Sequence, residues 1–207
     1  MKINCSVIVL VLLTGCSGLQ IKHGVVDNVF YSNYPAVAVQ IDDGFEYADE
    51  EIKNEFSDLG AEPVSTNIIK KRFVFINRKE KRAIVISIQT LMFGYWNMNS
   101  SVTGVNVLES DRVSKQGEIY KHSVFTFKDQ ETNRCMLAHY LCRTAGADNT
   151  TLLGLFYFGE IADFNKNCIK WHRHSLNKKQ QRFIEKFKKD SEKNLVFINP
   201  STVKMPE

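Results

Sequence analysis

"RFVFINRKEKRAIVISIQTL", residues 72–91, holds two β-branched and aromatic runs joined by a charged connection around Asn77 to Arg82. Side chains alternate along a strand, so Ile84, Ile86 and Ile88 share one face of the second run while Val85, Ser87 and Gln89 share the other. Two arms of this kind around a short polar link predict an antiparallel hairpin with one face on a core.

Similar signals lie on either side of it. "AVAVQI" (36–41) alternates Val37, Val39 and Ile41 and stops at the Asp43-Gly44 turn signal. "IYKHSVFTF" (119–127) and "LLGLFYF" (152–158) read as two further strands, the second apolar on both faces and therefore central. "CMLAHYLCR" (135–143) fits a helix or a strand, and "LVFI" (195–198) reads as a last strand before Asn199-Pro200. Ile52, Phe56 and Leu59, with Gly60 beyond, predict a short amphipathic helix near 49–59. Ser175 as N-cap, with Leu176, Phe183, Ile184 and Phe187 as the apolar stripe, predicts a C-terminal amphipathic helix near 175–193. Strands outnumber helices, so the expected class is α+β built mainly on an antiparallel sheet. A single globular domain is expected over 30–199, followed by a tail over 200–207.

The N-terminus reads differently. Met1 and Lys2 precede an apolar stretch that, counted from Ile3 to Leu13, is eleven residues long. Spanning a bilayer takes about 20. A positive end, a short apolar middle and small residues before a cut have the layout of an export signal. Leu13, Thr14, Gly15 and Cys16 resemble the lipobox of bacterial lipoproteins. The resemblance covers residues 1–16 and implies removal of 1–15, alkylation of the Cys16 thiol with diacylglycerol and acylation of the freed amine. It makes membrane lipid, reached through acylated Cys16, the first partner, with residues 16–29 as the lipidated N-terminus and tether. Ser17 after the cysteine resembles the pattern of proteins sent to the outer membrane, facing the periplasm, rather than kept at the inner one.

The composition is that of a globular chain, 43% hydrophobic and 24% charged. Charge is unevenly placed: residues 164–193 hold ten Lys or Arg against three acids, within a chain whose net charge is only +4. Lys178, Lys179, Arg182, Lys186, Lys188, Lys189 and Lys193 make the C-terminal helix basic. An exported protein does not meet nucleic acid, so the basic helix points to anionic headgroups, an anionic envelope polymer or an envelope protein.

After Cys16, three cysteines remain. Cys135 and Cys142 stand about 10 Å apart on a helix and about 23 Å apart on a strand, beyond the roughly 7 Å limit of a bridge. The expected pair is Cys142 with Cys168, with three free thiols as the alternative.

Cys168, His172 and His174 have zinc-compatible donors but no second pair nearby to complete four ligands, so no metal is assigned. His122 and His139 are the candidate bases, yet no serine stands in a G-x-S-x-G setting. Asp42 with Asp43 and Glu50 with Glu51 are adjacent acids, read as solvent-facing. Phe93, Tyr95 and Trp96 form an aromatic cluster that would suit either a core cap or a recognition surface. There is no P-loop or dinucleotide fingerprint, and no cofactor is implied. The expected function is therefore a membrane-anchored envelope lipoprotein that binds or assists without catalysis, and the alternative is an envelope hydrolase working through a histidine.

Overall fold

The computed structural model describes residues 21–58, 65–98, 105–161, 168 and 171–203. The strands are β1 (His23–Val26), β2 (Val29–Asn33), β3 (Ala36–Ile41), β4 (Glu46–Asp58), β5 (Ser65–Asn77), β6 (Arg82–Leu91), β7 (Asn106–Lys115), β8 (Glu118–Lys128), β9 (Cys135–Ala145) and β10 (Thr151–Glu160). Helix α1 (Lys178–Asn194) and β11 (Leu195–Ile198) follow. Among the described residues the strands pair antiparallel and form two sheets, one ordered β1-β2-β3-β11 and the other β4-β5-β6-β10-β9-β8-β7.

The 72–91 hairpin is β5 paired with β6, Phe73 opposite Ile86 and Phe75 opposite Ile84. These four side chains are fully buried. Over them lies a second layer of the small sheet and α1: Phe30 meets Phe73 at 4.9 Å between ring centroids, and Phe187 meets Tyr157 at 4.9 Å. Strand β10 lies fourth of seven, the central place its two apolar faces require. Its other face carries Phe156 and Phe158, stacked in a row with Tyr140 of β9, against which Met98 and Val105 pack.

The 49–59 helix is not found; within the described residues that segment is strand β4. Ile52 and Phe56 are four apart, a spacing that puts two side chains on one face of a strand as well as of a helix. The charges decide between them, because they pair across to β5: Arg72 with Glu51 at 3.1 Å and Lys70 with Glu55 at 3.2 Å on one face, Lys71 with Glu50 at 3.5 Å on the other. The ambiguous 135–143 segment is strand β9. Cys16 and the signal reading over 1–15 lie outside the described residues, but the described part of the stretch read as a tether, 16–29, contains a strand. His23–Val26 forms a hairpin with β2 through Asp27 and Asn28, both at positive φ (49° and 56°), the two-residue turn that matches strand twist.

The disulfide joins Cys135 to Cys168, with Cα atoms 5.7 Å apart, and not Cys142 to Cys168. Seven residues is an odd offset on one strand, so Cys135 and Cys142 face opposite sides of β9. Cys135 lies in the core between the layers, whereas Cys142 is a buried free thiol on the outer aromatic face.

Candidate functional site

Helix α1 begins at Asn177, whose side chain accepts from the Gln180 amide while the Gln180 side chain accepts from the Asn177 amide. This reciprocal cap displaces the expected start at Ser175, which ends a short 3-10 turn, Arg173–Ser175. Ile184, Phe187, Ser191 and Asn194 form the buried face. At 3.6 residues per turn, Lys178, Lys179, Arg182, Lys186, Lys189 and Lys193 fall within an arc of about 100° opposite that face. All six are exposed, and Lys178, Arg182, Lys186, Lys189 and Lys193 have no acidic partner within ion-pair distance among the described residues. Lys178, Arg182, Lys186 and Lys189, with Gln181 and Glu185, border an open depression along the helix.

Lys188 belongs elsewhere. It is half-buried on the flank of the helix and donates to Glu109 of β7 at 2.7 Å and to Glu185 at 3.1 Å. Partial burial opposes its charge, but those two carboxylates outweigh it and raise its pKa. It pins α1 to the sheet, where Lys115 also meets Glu192 at 3.4 Å. Of the seven predicted cations, then, six share one solvent face and the seventh is structural.

The candidate bases lie beneath this helix. His122 of β8 bonds through Nδ1 to the Asp111 carboxylate on the neighbouring β7, and the His139 ring stands edge-on to it at 4.7 Å. His139 is 5% exposed, and its Nδ1 has no hydrogen-bond partner among the described residues. Burial above all, with the charges of His122, Lys188 and Lys115, lowers its pKa to about 3 and keeps it neutral. Among the described residues neither ring is hydrogen-bonded to a hydroxyl or thiol, whereas His23 bonds to Ser32 at 3.0 Å. Asp111 opens onto a surface cavity of about 450 Å³ that Arg112, Glu118, Lys121 and Arg143 also line. The partnership of Asp111 with His122 was invisible in the sequence, because it depends on the β7–β8 register.

The remaining candidates separate. Cys168 is consumed by the disulfide, which removes the thiolate from the Cys168, His172 and His174 set. Asp42 accepts from the Gly44 amide in a turn, while Glu50 and Glu51 face opposite sides of β4. Trp96 is fixed by its backbone amide on the Asn149 carbonyl and its ring N–H on the Thr150 carbonyl, both at 3.0 Å. Phe93 and Tyr95 instead project, 68% and 69% exposed, beside Met92 at 57%.

Compared with known protein families, with characterised proteins and with solved structures, the chain matches none.

Proposed function

We propose that this chain is an envelope lipoprotein, acylated at Cys16 and held at the outer membrane facing the periplasm, that acts as a non-catalytic binding or accessory protein. Its ligand class is an anionic polymer or anionic headgroups, received on the exposed face of α1. The observation that carries this reading is the set of six cations on the side of α1 opposite its buried residues. A solvated helix face ordinarily intersperses both signs of charge. Here the acids Glu185, Asp190 and Glu192 stand at the flanks of the arc, leaving a field of one sign. Near an anionic surface each cation contributes about 1 kcal/mol.

The test is retention of the folded protein on immobilised polyphosphate. Reversing Lys178, Arg182, Lys186 and Lys189 to Glu is expected to abolish retention, with an unchanged circular dichroism spectrum. Equal retention of the variant overturns the assignment of this face. Anchoring is tested separately: radiolabelled palmitate is incorporated by the native protein and not by the Cys16→Ser variant.

The alternative, a hydrolase with His122 as base, draws on the Asp111–His122 pair beside the 450 Å³ cavity. A base needs its proton donor within hydrogen-bond reach. His122 is 5% exposed and its ring meets Asp111 and His139, which favours a satisfied structural pair.

A further inference from the structure

We infer that the end of the domain from which the tether leaves is seated on the membrane, with Met92 and Tyr95 of the β6 exit loop set into the lipid–water interface. The inference rests on the reading of Cys16 as the anchor and adds to it an orientation and a contact surface.

A chain of contacts places the tether and the loop together. Lys22, the residue before β1, is bound at both backbone groups to Asn33: its amide donates to Asn33 Oδ1 at 2.7 Å and its carbonyl accepts from the Asn33 amide at 3.1 Å. Asn33 ends β2, and the following turn lies against the end of β9: the Tyr34 hydroxyl sits on Gly146, and Arg143 donates to the Ala36 carbonyl at 2.8 Å. Gly146 opens the β9–β10 connection, whose Asn149 and Thr150 carbonyls hold Trp96. The point where the chain departs towards Cys16 and the exposed loop 92–95 thus share one end of the strands.

The chemistry of that end fits an interface. Trp96 is clamped and Gly94 takes φ of 89°, so the loop is held in a turn that presents Met92 and Tyr95 outward. Ile21, 56% exposed, sits at the foot of the tether, and Tyr34 is at the same end. Tyrosine with its ring in the headgroup region and apolar neighbours below it is the arrangement that lipid–water interfaces select. Reach is limited: Lys22 lies six Cα–Cα steps beyond Cys16, and six such steps fully extended span at most roughly 20 Å. A domain of this size held that close to a bilayer has its tether end within contact distance.

The test uses the acylated full chain with an environment-sensitive nitrobenzoxadiazole label at Tyr95→Cys or, as control, at Lys79→Cys in the β5–β6 turn at the opposite end. Cys142 is buried and escapes labelling. Each protein is reconstituted in phosphatidylethanolamine–phosphatidylglycerol vesicles with and without nitroxide-bearing lipid. The expected result is flotation of both, with a shift to shorter emission wavelength and nitroxide quenching at position 95 and neither effect at 79. Flotation with water-like, unquenched emission at 95, or with equal quenching at both sites, overturns the orientation and leaves the anchor standing. Failure to float overturns the anchor and the orientation with it.

Discussion

His139 has its uncharged state fixed by position. It is on the inward face of β9, beneath α1, with His122 edge-on and Lys115 and Lys188 contributing positive charge. Asp111, an acid that favours its charged form, is committed to His122. Its pKa of about 3 in the folded chain lies below the ordinary 6.5, so the unfolded chain binds the extra proton between those values. Stability contributed by neutral His139 is therefore complete above pH 6.5 and is lost as pH falls towards 3. At 1.36 kcal/mol per pH unit the full window is worth on the order of 4–5 kcal/mol. Urea unfolding at pH 7, 5.5 and 4.5 is expected to show a falling midpoint, with His139→Leu reducing the slope. An identical slope in the variant would assign the acid lability to other groups. Nothing in "CMLAHYLCR" announces this, since the environment of His139 is created by strands and a helix distant in sequence.

Elements were legible where the chain repeats its own pattern and obscure where partners decide. The 72–91 hairpin and "AVAVQI" carry strand alternation, and "LLGLFYF" is a short β-branched-poor but aromatic run apolar on both sides that suits a central strand; they are β5 with β6, β3 and β10. Residues 49–58 misled because Ile52 and Phe56 obey both periods, and the ion pairs that settle the matter lie on β5. In α1 the cationic arc was readable from spacing alone, but not the diversion of Lys188 to Glu109, nor the choice of Cys135 as partner of Cys168. One glycine sets how closely the helix approaches the sheet. A Cβ on Gly159 of β10 would stand 2.8 Å from the Phe187 ring and would also collide with Arg82, whose guanidinium lies over that ring. Gly159→Val is expected to destabilise the fold by about 1–3 kcal/mol through overpacking, measured as a lower urea midpoint. Gly117→Asn, at a turn position with φ of 80° and open space around it, is the tolerated comparison.

Across the whole molecule, two surfaces with different physics point in nearly perpendicular directions. The buried face of α1 packs onto the large sheet, so its cations are directed away along the sheet normal. The tether and the Met92–Tyr95 loop lie at the strand ends, along the strand axis. In the orientation proposed above, the cationic face would look sideways rather than down at the bilayer, which favours the anionic polymer over headgroups as its ligand. The two attachments must then respond differently to salt. The Debye length is about 8 Å at physiological ionic strength and about 3 Å at 1 M, so attraction between exposed lysines and a polyanion is screened over that range. Acyl chains hold by about 0.8 kcal/mol per buried methylene, a term that salt does not weaken. For acylated protein on vesicles, raising sodium chloride from 0.05 to 1 M (approximate limits of a convenient titration) is expected to release bound polyphosphate while leaving the protein in the floated fraction. The four-residue charge reversal is expected to float equally well and to bind no polyphosphate at any salt concentration. Release of the protein itself from phosphatidylglycerol vesicles by salt would mean that α1, and not the lipidated cysteine, carries the membrane attachment.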